Sequence, residues 1–172
     1  MVDLIPVLTE DQIRDKVALL AKNISSDYQS DNLVLICVLK GAVVFLSDLM
    51  RHLTIPVEID FIELSSYGNN DVSSGTPLIR KDVHMDLRDK HVLVVEDIVD
   101  TGLTLAALVD YLKSKGPKSV RVCAMIDKLE RRKTDIRADY VCHTVNGGFL
   151  VGYGLDYAEK YRNLPDICHL KK

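Results

Sequence analysis

Apolar residues along this chain follow two alternating rhythms. Ile13, Val17, Leu20 and Ile24 recur at helical spacing, and Thr9 with Gln12 forms a capping-box pair suited to a helix start. The spacing predicts an amphipathic helix over about residues 10–28. LVLICVL (33–39) is instead a short unbroken apolar run, the pattern of a strand buried on both faces. Helical spacing returns in GAVVFLSDLMRHL (41–53), and beyond Pro56 a second strand is expected in VEIDFIEL (57–64). HVLVVED (91–97) predicts a third strand, and TLAALVDYLKSKG (104–116) a helix ending in Lys and Gly, both good C-terminal signals. SVRVCAMI (119–126) and ADYVCHTV (138–145) are the fourth and fifth expected strands, after which Gly147-Gly148 turns the chain into FLVGYGLDY (149–157). Between the second and third strands, SSYGNNDVSSGTPLIRKD (65–82) has almost no apolar period and is expected to be a long loop. A loop of that length in a compact domain is either disordered or functional.

Strands alternating with helices imply an α/β fold with a mostly parallel sheet, flanked by helices and joined by right-handed crossovers. Ligands of such sheets bind beyond the carboxyl ends of the strands. Those ends are expected at Leu39-Lys40-Gly41, Glu96-Asp97 and Asp127-Lys128, so the most chemically loaded residues converge on one rim.

Composition narrows the picture further. The 172 residues suit one domain (1–172), and 47% hydrophobic with 27% charged residues is the profile of a soluble globular protein. A net charge of −3 and a pI near 5.9 give no bulk attraction to nucleic acid or anionic membrane. Cys37, Cys123, Cys142 and Cys168 are widely separated, which points to reduced thiols and a cytoplasmic location. The N-terminus lacks the features of a secretion signal, and no apolar run approaches the ~20 residues that span a bilayer. His52, His84, His91, His143 and His169 show no metal-ligand spacing.

The densest chemistry lies in VLVVEDIVDTGLTL (92–105), which puts Glu96, Asp97 and Asp100 within five residues at a strand end. Like charges that close repel, so such a cluster needs a metal ion, a cationic partner or open water. Thr101-Gly102-Leu103-Thr104 then enters a helix, where free N–H groups and the positive end of the helix dipole form an anion site. By itself this turn reads as a plain N-cap, with Thr101 or Thr104 as the cap. Beside the carboxylates it fits a ligand with a phosphate at one end and a ribose diol at the other. No G-x-G-x-x-G follows a strand and no G-x-x-x-x-G-K-[ST] occurs, which disfavours dinucleotide binding and P-loop chemistry.

This segment resembles the phosphoribosyl-pyrophosphate motif of type I phosphoribosyltransferases: apolar residues, two acids, then Asp-Thr-Gly-x-Thr. LKGAVVFLSDL (39–49), SSYG (65–68) and GFLVGYGLDYAEKYRNLP (148–165) narrow the resemblance to the hypoxanthine-guanine phosphoribosyltransferases, and it runs nearly end to end. The resemblance implies the type I phosphoribosyltransferase fold, with a small hood built from the terminal segments. It implies that Glu96 and Asp97 hold the ribose hydroxyls and help bind Mg2+, with Asp156 as a further magnesium ligand. Asp100 corresponds to the proposed general base near purine N7, and Thr101, Gly102, Leu103 and Thr104 to the 5′-phosphate loop. Leu103 stands where some relatives carry Lys, which matters little if the backbone N–H does the binding. Leu39, Lys40 and Gly41 correspond to the pyrophosphate loop, where the family often has a non-proline cis peptide, and Arg162 to a further pyrophosphate contact. Lys128 matches the donor to the purine 6-oxo group, Phe149 the aromatic that stacks on the base, and Leu150 a backbone contact to its edge. Many bacterial relatives have Pro after that lysine, where this chain has Leu129. Ser66 and Tyr67 match the family's flexible-loop motif, so 65–82 is expected to act as a lid.

Several of these residues have plainer readings when taken singly. Lys128 opens a charged run, DKLERRKTD, of the kind usually found on a solvated surface, and Asp156 with Arg162 could be an exposed ion pair. As an ordered set they imply transfer of a 5-phosphoribosyl group from phosphoribosyl pyrophosphate to N9 of a 6-oxopurine. The partners implied are phosphoribosyl pyrophosphate, 6-oxopurine bases, nucleoside monophosphates and Mg2+, in a homodimer or homotetramer. A regulator that binds phosphoribosyl pyrophosphate would need a DNA-binding module, for which the chain has neither a spare domain nor a basic face. A transferase for adenine, orotate or uracil is the other alternative, and a lysine donor argues against the 6-amino group of adenine.

Overall fold

The computed structural model describes residues 3–29, 32–65 and 78–171. In chain order the elements are β1 (Asp3–Leu8), α1 (Glu10–Tyr28), β2 (Leu33–Leu39), α2 (Val43–His52), β3 (Val57–Ser65) and β4 (Leu78–Lys81). They are followed by β5 (His91–Val99), α3 (Leu103–Ser114), β6 (Ser119–Lys128), β7 (Tyr140–Val145), β8 (Leu150–Val151) and β9 (Ile167–Lys171). The capping box at α1 forms as expected: the Gln12 N–H donates to Thr9 Oγ1 and the Thr9 N–H donates to Gln12 Oε1.

The main sheet has the order β4-β3-β2-β5-β6-β7, with every pairing parallel except β3 with β4. Strands β2 and β5 lie at its centre with helices on both faces, which explains their unbroken apolar runs. Their side chains alternate between two cores. Leu33, Leu35, Cys37, Leu93 and Val95 pack with Ile13, Val17, Phe45 and Leu49 of α1 and α2. Val34, Ile36, Val92 and Val94 pack with Leu105, Leu108 and Leu112 of α3 on the opposite face. Two helices cover one face and one covers the other, so the strand ends are left open along one rim.

A second sheet of order β1-β9-β8 brings the two terminal segments together as the expected hood. It is tied to the main body by the Glu10 N–H donating to Asp166 Oδ1 at 2.7 Å and by the Tyr153 hydroxyl donating to Asp48 Oδ2 at 2.7 Å.

Two sequence-based expectations need correction. Residues 65–82 are not loop throughout, because Leu78–Lys81 returns as β4 and pairs antiparallel with the end of β3. The sequence pattern hid this strand because it is short, lies on the sheet edge and carries Arg80 and Lys81 among its four residues. The lid residues Ser66 and Tyr67 lie outside the described residues. Strand β5 also runs past Asp97 to Val99, so Glu96 and Asp97 belong to the strand rather than to its end.

Candidate active site

Beyond β5 the chain turns through Asp100 and Thr101 into α3. The N-cap is Gly102 rather than either threonine, at φ 81°, and no side chain caps the helix. Apart from the Leu103 N–H, which makes a long contact to Thr101 Oγ1, the first-turn N–H groups are thus left for another acceptor, the requirement for an anion site. Glycine is needed here for two reasons. Its φ is left-handed, and a Cβ would lie 2.3 Å from Thr134 Oγ1 and 2.9 Å from Ile136 Cγ2. Glu96, Asp100, Thr101, Gly102 and Thr104 line a cleft of about 130 Å3 at this turn, and the Leu103 N–H is oriented by Thr101 Oγ1 at 3.4 Å.

Glu96 and Asp97 are partly buried next to one another. Burial strips water from both carboxyls. Burial and the Asp97 charge push Glu96 well above the usual carboxylate range, whereas Asp97 is raised by burial against the opposing pull of its hydrogen bonds to Glu96 and the Ile98 N–H and of Arg162. The Ile98 N–H donates to Asp97 Oδ1 at 2.7 Å and holds that side chain. Asp97 reaches across to the loop after β2, where a Cβ on Gly41 would lie 1.7 Å from Asp97 Oδ2. Only glycine permits that approach. The peptide between Leu39 and Lys40, whose isomer the sequence left open, is cis.

On the same side, Leu39, Lys40, Asp156, Glu159 and Arg162 line a cleft of about 380 Å3 together with Glu63 and Arg80. Arg162 pairs with Asp156 at 2.9 Å and donates to the Gly154 carbonyl at 2.8 Å. Glu159 lies between Lys40 at 3.2 Å and Arg162 at 3.4 Å, and Lys40 holds its carboxyl below the usual range. The Asp156–Arg162 pair is therefore part of a cleft wall, not an isolated surface contact. Sequence reasoning missed Glu159 and Arg80; their signal was only a charge next to a motif.

Lys128, the last residue of β6, is 8% exposed despite opening a charged run. Its Nζ lies 3.5 Å from Asp100 Oδ2, with Arg131 on the same oxygen at 3.7 Å. Asp100 Oδ1 is buried and has no hydrogen-bond partner among the described residues. An acceptor in that state costs about 1–3 kcal/mol and is suited to a donor supplied by a ligand.

Phe149 is 49% exposed and held edge-on by Tyr157, with ring centroids 5.5 Å apart and planes at 88°. The Gly148 N–H donates to Glu130 Oε2 at 3.1 Å, which ties this segment to the loop after Lys128. The Phe149 carbonyl accepts the Leu170 N–H at 2.9 Å. Amides alternate along a strand, so the Leu150 N–H and C=O point away from β9 toward the open edge of the hood.

The site therefore combines a glycine-capped helix start, a carboxylate pair, a cleft lined by charges of both signs, a buried lysine paired with Asp100, and an exposed aromatic. The comparisons with known proteins agree with this arrangement. Residues 7–158 match the phosphoribosyl transferase domain family. The chain is 45% identical over 165 residues to the hypoxanthine-guanine phosphoribosyltransferase of Bacillus subtilis, covering 96% of this chain and 92% of that protein. This chain belongs to that family. A second relative, the enzyme of the same name from Streptococcus thermophilus, is 45% identical over 166 residues with the same coverage. A hypoxanthine-guanine phosphoribosyltransferase crystal structure from Bacillus anthracis superposes with a TM-score of 0.93 at 42% identity, each chain covered in full. The protein is thus a phosphoribosyltransferase with the type I fold.

The family raises the question of a divalent metal, and the residues present fit one. Glu96, Asp97 and Asp156 offer hard carboxylate oxygens, and the buried Glu96–Asp97 pair is a charge cluster that a cation would relieve. Among the described residues these side chains do not converge as a cluster of three ligands by themselves. A magnesium ion here would take its remaining ligands from water and substrate.

Proposed function

We propose that this enzyme transfers a 5-phosphoribosyl group from phosphoribosyl pyrophosphate to N9 of hypoxanthine or guanine, releasing pyrophosphate and a nucleoside monophosphate. The observation that carries the reading is the Asp100 carboxylate, set between the anion turn and Lys128 with one buried oxygen unpartnered.

In this reading the N–H groups at Gly102, Leu103 and Thr104, with the Thr101 and Thr104 hydroxyls, bind the 5′-phosphate. Glu96 and Asp97 accept hydrogen bonds from the ribose diol. Leu39, Lys40, Gly41 and Arg162 hold the pyrophosphate. Lys128 donates to the purine 6-oxo group, Phe149 stacks on the ring, and the outward-facing Leu150 backbone contacts its edge. Asp100 accepts the proton from N7 as the bond to N9 forms and the bond to pyrophosphate breaks. Carboxylates near C1′ favour the positive charge that develops on the ribosyl centre. Glu96, Asp97 and Asp156 would hold a magnesium ion, which when bound would supply charge stabilisation to the departing pyrophosphate. The described residues contain no helix long and apolar enough to cross a membrane.

The test is a pyrophosphate-release assay with hypoxanthine, guanine, xanthine, adenine, orotate and uracil. Turnover confined to the 6-oxopurines is expected. Turnover with adenine, orotate or uracil in their place would overturn the assignment.

A further inference from the structure

Arg132 sits in the run DKLERRKTD, which on sequence alone reads as solvated surface. Its neighbour Arg131 fits that reading, with a side chain 63% exposed, but the Arg132 side chain is 17% exposed. Its guanidinium is bonded to three separate pieces of chain. Nε donates to the Asp100 carbonyl at 3.1 Å, and Nη2 donates to the Val99 carbonyl at 3.2 Å and the Lys128 carbonyl at 3.3 Å. Nη1 donates to the Ile136 carbonyl at 3.0 Å, and Nη2 also pairs with the Asp127 carboxylate.

The topology explains why such a brace is needed. Strands β5 and β6 are in register up to the pair Val99 and Asp127, and no ladder bond joins the chains beyond it. Immediately past that point one strand delivers Asp100 and the anion turn, and the other delivers Lys128. Arg132 takes over where the ladder stops, because a planar fork with five donors can bind several carbonyls at once. The adjacent Lys133 N–H donates to the Thr101 carbonyl at 2.9 Å, and Gly102 lies against Thr134, Ile136 and the Arg132 side chain.

We propose that Arg132 is a positioning residue that locks the base subsite to the phosphate subsite, so that the base and the ribose phosphate are bound as one rigid ligand. It touches neither substrate. It acts through the backbone of Asp100 and Lys128, keeping purine N9 aligned with the ribosyl carbon. A misplacement of about 1 Å at such a junction is enough to lose roughly 10²-fold in rate. The inference rests on the proposed function for the identity of the two subsites.

The experiment compares wild type, Arg132→Lys and Arg132→Ala by thermal melting, steady-state kinetics and calorimetry. The calorimetric probes are inosine, ribose 5-phosphate and inosine monophosphate. Arg132→Lys retains a cation for Asp127 but cannot span the four carbonyls on three pieces of chain. It is expected to melt near the wild type yet lose about 10²-fold in kcat, with much smaller changes in either KM. Each variant should bind inosine and ribose 5-phosphate nearly as wild type does, while losing about tenfold or more of the extra affinity that wild type shows for the joined monophosphate. Guanidinium ion added to Arg132→Ala should restore part of kcat. Should Arg132→Ala fail to fold, Arg132→Lys carries the test alone. A lysine variant with near-wild-type kcat overturns the proposal, as does a parallel loss of affinity for all three probes. Failure of wild type itself to use 6-oxopurines would instead refute the functional reading, a result separate from the variant-to-wild-type comparison.

Discussion

Lys128 Nζ lies 3.5 Å from Asp100 Oδ2, so the residue assigned to read the base and the residue assigned to take its proton form one ion pair. The two come from neighbouring strands, β6 and β5, and meet only because those strands end at the same rim. A 6-oxopurine entering this space would present its oxo group to the lysine and N7 to the carboxylate. In the proposed reading the pair is shared with the base.

Asp100→Asn is expected to remove most turnover and leave product binding nearly intact. Asparagine keeps the size and hydrogen-bonding capacity but cannot accept the N7 proton. Loss of a general base typically costs about 10²–10⁴ in rate. The measurements are kcat for hypoxanthine and guanine and calorimetric binding of the monophosphate. Near-normal kcat would remove Asp100 from the catalytic role, and parallel loss of binding would make it a structural anchor.

Lys128→Ala should raise KM for 6-oxopurines by about one to two decades, because a charged hydrogen bond in a dry site is worth roughly 1.5–3 kcal/mol. KM for phosphoribosyl pyrophosphate should move far less. An unchanged base KM would return Lys128 to the role of a charge that neutralises Asp100.

Glu159→Gln addresses the carboxylate lodged between Lys40 and Arg162. Pyrophosphate must displace that contact to reach both cations. Exposed pairs of this kind are weak, so the variant should bind inorganic pyrophosphate up to about fivefold more tightly. Weaker binding would show that Glu159 helps to hold the ligand.

Glu96→Gln should stabilise the ligand-free enzyme while weakening substrate binding. Burial and Asp97 hold the Glu96 carboxyl well above its usual range, so its ionised form opposes folding. The sign follows: stability from this group is full below the unfolded carboxylate pKa and is lost as pH rises through the raised folded value. Removing the charge should therefore raise the melting midpoint at neutral pH more than at acid pH, by about 2–4 °C per kcal/mol of strain relieved. Affinity for magnesium and phosphoribosyl pyrophosphate should fall in the same variant. A midpoint that drops at neutral pH would show that the charge is already compensated without ligand.

Much of this protein was legible in its sequence because the relevant signals are local. Helical spacing from Ile13 to Ile24, the Thr9–Gln12 capping box and the apolar run 33–39 each report a backbone preference within a few residues, and each formed where expected. The turn from strand through Gly102 into a helix was equally readable, although the cap fell on the glycine rather than on either threonine. Only the tertiary structure decided which charges are buried and what they face. Arg131 and Arg132 are adjacent and alike in sequence, yet one is solvated and the other braces two strand ends. Glu159 sits between Lys40 and Arg162 because the hood folds back onto the loop after β2, a contact across 119 residues. The hood's pairing of Asp3–Leu8 with Ile167–Lys171 is likewise long-range. Backbone preference is set by near neighbours, whereas desolvation and ion pairing depend on which distant surfaces the fold brings together.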